Sequence, residues 1–177
     1  MNRRRWFSYM MAVLAGSTTV LSKESLRIVP IVNDDEVLVS FELADAYTTG
    51  VREAISSGLR TTFTYDLDLR MLAPFWMDRS IVTVIVSTTD QYDNLTRRHI
   101  LTRTLDGHVD QTLVTEDESV VARWLTTFAR LPVCRTSRLE PGREYYLRIS
   151  ARSRPHGESL LGWVNAITGS AKFTFVP

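Results

Sequence analysis

Two aspartates, Asp66 and Asp68, lie in a segment where apolar and polar residues alternate. At that spacing on a β-strand both carboxylates project from one face, because successive side chains point to opposite faces. Paired carboxylates can share general acid and base work or bind a metal ion, so a carboxylate-dependent hydrolase is one hypothesis. We favour a solvated strand face instead, since Thr62, Thr64 and Arg70 continue the same polar row.

Few other residues could carry nucleophilic or metal chemistry. The chain has one cysteine, Cys134, and three histidines, so it lacks the paired Cys and His spacings of zinc sites. Cys134 follows the apolar segment 131–133, where a free cysteine is expected to be buried and unreactive. Asp90, Asp93 and Asn94 are too few for a recognised calcium motif and fit a turn equally well. We therefore predict no catalytic residue, no metal site and no cofactor.

Two apolar segments interrupt the strand pattern and carry large aromatic residues. A proline is followed by Phe75 and Trp76 in the first segment, and Trp163 lies in the second. One interpretation is that these aromatics fold back and cap the core. The other is that Phe75, Trp76 and Trp163 form a docking patch for a partner protein or for the membrane surface, because soluble monomers rarely expose such residues together.

The elements that must hold these residues are mostly strands. Apolar residues alternate with polar ones in several segments, which is typical of strands with one buried face. Asp106-Gly107 is a typical two-residue hairpin turn between two of them. The predicted strands are 37–43, 62–70, 81–86, 95–104, 109–114 and 145–151, and Phe173 and Phe175 belong to a last one.

Two helices are predicted between the strands. The shorter covers about 49–57 and ends at Gly58, a typical C-terminal cap. The longer covers about 116–130, with Thr115 and Glu118 spaced as a capping box. Its apolar residues recur at helical spacing and make one stripe, formed by Val120, Val121, Trp124, Leu125 and Phe128.

One local signal narrows the fold class. A Pro-Gly turn at 141–142 is followed by Tyr145 and an alternating apolar strand, which is similar to the tyrosine corner of immunoglobulin-like domains. Short alternating strands with closely spaced turns favour the same architecture. We therefore predict a mainly β fold, an antiparallel immunoglobulin-like β-sandwich with one short and one longer accessory α-helix.

The charge balance argues against nucleic-acid binding. The chain has 21 basic and 20 acidic residues, but three of the basic ones are Arg3, Arg4 and Arg5, which leaves 18 against 20 in the rest. A protein that binds nucleic acid needs a basic face for the phosphates. We therefore expect no nucleic-acid partner.

The N-terminal segment predicts export. Its three arginines precede an apolar stretch and then small residues, a pattern typical of a secretory signal peptide. We divide the chain into a signal peptide or uncleaved anchor at 1–15, a segment at 16–34 that leads into the first strands, and a single β-sandwich domain at 35–177. The expected location is the periplasm or the cell envelope.

Six short stretches carry a resemblance to a known family. They are Val39–Leu43, Ser57–Leu59 with Thr61–Tyr65, Tyr92–Arg98, Thr115–Glu118, Leu139–Pro141 with Glu144–Tyr146, and Gly169–Phe175. Together they resemble a bacterial domain of unknown function, number 4390, over about 37–177. The resemblance implies exported proteins without an assigned activity, and relatives encoded near a membrane sensor histidine kinase imply a context in envelope signalling. The sequence departs from the relatives at 155–168, where they carry more aromatic residues.

The functional expectation is a non-catalytic exported binding or accessory module of the bacterial cell envelope. Such a module would dock a protein partner, with a membrane sensor kinase as one candidate, or the membrane surface, through its apolar loops. Two alternatives stay open. The first is the carboxylate-dependent hydrolase on the Asp66 and Asp68 face, and the second is a structural component of an envelope assembly that pairs through an exposed sheet edge.

Overall fold

The structure is a computed structural model, and it describes residues 25–33, 35–73, 77–155 and 166–176. Two α-helices lie in these ranges, α1 (Thr49–Ser56) and α2 (Glu118–Thr126), and a 3₁₀ turn covers Thr136–Arg138. The strands are β1 (Ser25–Val32), β2 (Glu36–Ala44), β3 (Thr61–Met71), β4 (Arg79–Asp93), β5 (Arg98–Leu105), β6 (His108–Thr115), β7 (Thr127–Arg135), β8 (Glu144–Pro155) and β9 (Ile167–Thr174).

The strands form two antiparallel sheets. The smaller has the order β1-β2-β7 and the larger has the order β6-β5-β4-β3-β8-β9. Strand β1 contacts β9 and strand β7 contacts β4, so the smaller sheet covers one side of the larger sheet's inner face. Helix α2 contacts β4, β5 and β6 and covers the other side. The predicted mainly β sandwich with two accessory helices is confirmed.

The core follows from the alternation within β3. Every second residue of this strand is buried and the residues between them are only partly covered. The ring of Tyr65 lies 5.2 Å from Phe41 of β2 and 5.0 Å from Phe128 of β7, between ring centroids. This aromatic cluster joins the two sheets, and burial of each such side chain contributes roughly 1.5–3 kcal/mol.

Helix α1 agrees with its prediction. The Thr48 side chain caps its first turn by accepting a hydrogen bond from the Val51 N–H at 3.3 Å. Gly58 has φ +85° and ends the helix, as expected. The N–H groups of Gly58 and Leu59 donate to the carbonyls of Ile55 and Ala54 at 2.8 and 3.1 Å, the paired bonds of a Schellman motif.

Helix α2 is shorter than expected, so its predicted extent of about 116–130 is wrong, although it is still the longer of the two helices. It has nine residues and α1 has eight. The predicted capping box is also wrong, because Asp117 caps the helix by accepting from the Ser119 N–H at 2.8 Å. Thr115 instead accepts from the Asp117 N–H at 3.0 Å.

Tertiary contacts decide where α2 ends. The carbonyl of Leu125 accepts hydrogen bonds from the hydroxyls of Tyr65 at 2.6 Å and Thr88 at 3.2 Å, which satisfies an acceptor that the helix end leaves open. The guanidinium of Arg103 lies 4.5 Å from the Trp124 ring and donates to the Trp124 carbonyl at 3.4 Å. A cation at a helix C-terminus is favourable for the helix dipole.

Strands β1 and β7 are not among the predicted strands, and β4 is longer than predicted. In β7 a bulge sets Ala129 and Arg130 opposite Ser40, with Arg130 at φ +51°, and this breaks the alternation. Strand β1 lies in the segment 16–34, which the sequence pattern predicts only to lead into the first strands. Strand β4 continues beyond 86 to Asp93, through buried polar residues that suggest a loop when read in sequence.

Two further local predictions are confirmed. Asp106 and Gly107 connect β5 to β6 with φ +48° and +84°, as a tight hairpin turn requires. Tyr145 is fully buried, and its hydroxyl accepts a hydrogen bond from the Glu140 N–H at 2.7 Å, which is the tyrosine corner.

Candidate functional site

The carboxylates of Asp66 and Asp68 lie on the outer face of the larger sheet, each beside an arginine of β8. Asp66 pairs with Arg152. Asp68 accepts from Arg70 Nε at 2.6 Å, from the Arg148 guanidinium at 3.3 Å and from the Ser80 hydroxyl at 2.9 Å. These contacts confirm that the two carboxylates share one strand face.

The electrostatics of Asp68 do not suit a proton donor. Its partial burial raises the pKa, but hydrogen bonds from Ser80 and Arg70 outweigh this and hold the pKa below its ordinary value. The carboxylate therefore stays ionised at neutral pH, and its oxygens are engaged by neighbouring side chains. This arrangement favours an ion-paired strand face over an acid and base pair.

The aromatic residues Phe75, Trp76 and Trp163 lie outside the described residues. The strands that flank them fix where each loop begins. Phe75 and Trp76 follow Met71 of β3, which pairs with Tyr145, whereas Trp163 follows the end of β8, which pairs with Thr61 at the other end of β3. Ten residues of β3 separate these points, about 33 Å at strand spacing. The two loops thus leave opposite ends of the sheet and need separate tests as docking surfaces.

A buried pair of ionisable residues lies on the inner face of the larger sheet. Asp90 of β4 is 0% exposed, and its Oδ2 lies 2.9 Å from His99 Nδ1 of β5. The Tyr92 ring packs against the His99 ring with centroids 4.7 Å apart. Among the described residues the Asp90 Oδ1 atom has no hydrogen-bond partner. Burial raises the pKa of Asp90, although the hydrogen bond and charge of His99 oppose the rise.

The sequence interpretation missed this pair because it assigned Asp90 to a calcium loop or a turn. Asn94 lies in the turn that follows β4, and Asp93, the last residue of β4, supports this turn by accepting from the Leu95 N–H at 2.9 Å and the Thr96 hydroxyl at 2.8 Å. The sequence signal for a buried Asp90 is its position along β4. It lies two residues after Thr88 and continues the alternation of buried residues that Val84 and Val86 begin.

Polar contacts between the two helices lie close to this pair. Arg52 Nε of α1 is 2.5 Å from Glu118 Oε1 of α2, and the Tyr47 hydroxyl donates to the same oxygen at 3.4 Å. Burial, followed by the charges of Glu118 and Asp90, raises the pKa of Tyr47 to about 12. Arg52 and Glu118 are more than half exposed, so their ion pair contributes about 1 kcal/mol or less.

The Asp90–His99 pair and Cys134 are poorly placed for catalysis. A carboxylate can orient a histidine as a general base, but a nucleophile must then lie within hydrogen-bond reach. In the part of the chain that the structure describes, the His99 ring has one hydrogen-bond partner, Asp90. Cys134 is half-buried and not fully buried as expected, and this burial raises the pKa of its thiol, which favours the protonated form.

The described ranges contain neither a cluster of metal-ligating residues nor a helix that could span a membrane. No group of three or more His, Cys, Asp and Glu side chains in them could hold a metal ion. Across the same ranges, no helix has the length and apolar character needed to cross a bilayer.

Replacing Asp90 with asparagine should reduce the pH dependence of stability. Because the folded pKa is raised, the carboxyl binds its proton more tightly in the folded state. Its contribution to stability is complete below about pH 4, the ordinary range of aspartate, and is lost as the pH rises through the folded value. The wild-type protein should therefore gain stability relative to Asp90→Asn as the pH falls from about 7 to about 4, measured by urea unfolding.

Asp93→Asn is the matched control, because it should give the opposite sign. Hydrogen bonds from Thr96 and Leu95 lower the pKa of Asp93, so its contribution is present above its ordinary pKa and is lost as the pH falls. If the stability of both variants relative to the wild type changed with pH in the same direction, Asp90 would not be the buried group with the raised pKa.

Comparison with known proteins places the chain in a family without assigning an activity. A family model described as a domain of unknown function (DUF4390) matches residues 23–156, which include both helices, β1 to β8 and the Asp90–His99 pair. No curated protein and no solved structure matches the chain. The family match covers most of the sequence and agrees with the resemblance seen in its short stretches. The chain belongs to the DUF4390 family of domains of unknown function.

Proposed function

We propose that this protein is a non-catalytic binding or accessory module of the bacterial cell envelope that docks a protein partner. The chemistry-bearing groups of the described residues support this reading, because each is engaged in holding the fold. Asp66 and Asp68 pair with arginines, and the Asp90–His99 pair is buried without a neighbouring nucleophile. Export rests on the signal-like N-terminal sequence.

The observation that carries the proposal is the apolar surface of the β5–β6 hairpin. Val114 of β6 is 54% exposed and lies directly opposite Ile100 of β5, which is 41% exposed. Val109 is 67% exposed and lies on the same outer face as Val114, whereas Leu113 is 37% exposed on the inner face of the same strand. Exposed apolar residues grouped on one element are typical of interaction surfaces, whereas isolated ones need no explanation. The proposed partner surface is therefore this hairpin, and the aromatic loops at 75–76 and 163 are separate candidate surfaces, because they leave opposite ends of the sheet.

The test is photo-crosslinking in the native host from position 114, and separately from positions 76 and 163. Thr168 of β9 is the matched control, since it is exposed on the same outer face at the opposite edge of the sheet. We expect one specific envelope protein to be captured from 114 and not from 168, and the capture from 114 to be lost when the opposing residue is changed, in Ile100→Ser. A folded, exported protein that captures nothing specific from 114, 76 or 163 would overturn the proposal.

A further inference from the structure

The free edge of β6 suits pairing with another chain, and this inference rests on the proposed function. We infer that β6 accepts an extended segment of a partner protein as an added strand, and that this segment carries basic side chains at its ends. Backbone N–H and C=O groups at a sheet edge can pair with such a segment, and neighbouring side chains then provide specificity.

Among the described strands, the edges of β1, β7 and β9 carry protecting features, whereas the second half of β6 carries none. Strand β1 contains Pro30, and its side chains pack closely on β9, where a Cβ on Gly169 would lie 3.2 Å from Ile28. Strand β7 contains Pro132 and the bulge at Arg130. Proline, lysine or arginine residues and bulges commonly protect edges, and β9 contains Lys172. The second half of β6, Gln111–Thr115, contains no proline, lysine, arginine or bulge.

The open part of β6 is long enough for a short strand. A register shift between Arg103 and Thr104 leaves Asp110 without a partner in β5, so a bulge limits the first half of the edge. The five residues Gln111–Thr115 then pair with β5 without interruption. Val114 lies beside an apolar residue on the outer face, and Leu113 lies on the inner face opposite the buried Leu101. An added segment would therefore meet apolar side chains on both faces.

The charge around this edge selects a basic partner. Asp106 and Asp110 lie near the start of β6, and Glu116 and Asp117 follow its end. Arg98 pairs with Glu116 at 2.9 Å, whereas Asp110 and Asp117 form no ion pair among the described residues. The excess negative charge at both ends of the open edge complements lysine or arginine at the ends of an added strand.

The same charges disfavour a second copy of this chain as the occupant. An antiparallel pair of β6 strands centred on Leu113, the midpoint of Gln111–Thr115, would set Asp110 of each copy opposite Glu116 of the other. Like charges directly opposite each other destabilise strand pairing. We therefore assign the edge to a different protein.

The probe for this inference is a labelled peptide, Lys-Thr-Val-Thr-Val-Thr-Lys, titrated into the purified full chain. Hydrogen exchange of the amides of Gln111–Thr115 should slow when the peptide binds. N-methylation of alternate peptide residues should weaken binding at least about tenfold, because it removes strand hydrogen bonds without changing charge. Asp110→Asn should weaken binding up to about fivefold, whereas Glu42→Gln, an exposed acid on the smaller sheet, should leave it unchanged.

The outcomes separate this inference from the proposed function. Equal binding of the plain and N-methylated peptides, or partner capture from position 114 without protection of Gln111–Thr115, would overturn strand addition and leave a side-chain docking surface. Strand addition would also be overturned if the peptide did not bind and the captured partner did not slow hydrogen exchange of the Gln111–Thr115 amides. A concentration-dependent dimer that protects Gln111–Thr115 would replace the proposed occupant by a second copy.

Discussion

Replacing Tyr65 with alanine is expected to lower the free energy of unfolding by about 3–5 kcal/mol, the cost typical of deleting a buried aromatic side chain. The Tyr65 side chain is fully buried and packs against the rings of Phe41 and Phe128. Tyr65 therefore joins β3 to β2, which carries Phe41, and to β7, which carries Phe128. Its hydroxyl also donates to the Leu125 carbonyl at 2.6 Å, which ties the end of α2 to the larger sheet. Urea unfolding of both proteins gives the difference.

Tyr65→Phe separates packing from hydrogen bonding. Burial keeps the pKa of Tyr65 above its ordinary value, against the charge of Arg103, so the hydroxyl stays protonated as a donor. Without it, the Leu125 carbonyl still accepts from Thr88 at 3.2 Å, so the loss should be about 0.5–1.5 kcal/mol. If Tyr65→Phe destabilised the protein as much as Tyr65→Ala, the aromatic cluster would not be the main contribution of this residue.

Replacing Tyr145 with alanine should cost a similar amount, about 3–5 kcal/mol, through a different part of the core. Tyr145 is 0% exposed, and its ring stacks on Phe173 of β9 with centroids 5.7 Å apart. Its hydroxyl accepts from the Glu140 N–H at 2.7 Å and so fixes the Pro-Gly turn that leads into β8. The measurement is again the free energy of unfolding in urea.

The neighbouring tyrosine provides the control for Tyr145. Tyr146 lies on the outer face of the same strand and donates to Asp78 Oδ2 at 2.9 Å, but it is only partly buried. Tyr146→Ala should therefore destabilise the protein clearly less than Tyr145→Ala. Tyr145→Phe should cost about 1 kcal/mol, since it removes the hydrogen bonds of the hydroxyl with the Glu140 N–H and carbonyl and keeps the ring. Equal losses for the two alanine variants would contradict the tyrosine corner as a core element.

Local patterns explain which elements the sequence predicted well. Strands β3 and β8 alternate cleanly, because each has one face in the core and one outside it. The end of α1 depends on Gly58, and the β5–β6 turn depends on Asp106-Gly107, both through backbone conformations that few residue types adopt. Such features are encoded within a few residues and need no knowledge of distant contacts.

The contacts of the candidate site residues were harder to predict from the sequence. Asp66 and Asp68 were correctly assigned to one polar face, but their arginine partners on β8 are more than 75 residues away along the chain. The Asp90–His99 pair was missed because a buried aspartate resembles a turn residue until the paired histidine on the next strand is known. The docking residues Phe75, Trp76 and Trp163 stay predictions, and only the strand pairing revealed that their loops start at opposite ends of the sheet.

The sequence by itself determined the mainly β class, the core faces of the alternating strands, the turns and the family, since each follows from residue types at short spacing. The tertiary structure decided the length of α2, the presence of β7 and the protection of every described edge except the second half of β6. Phe128 has the spacing of a helical stripe, yet it leaves the helix because stacking on Phe41 and pairing of β7 with β2 bury it better. Contacts between distant residues outweigh a local pattern when they bury more apolar surface and satisfy more backbone groups.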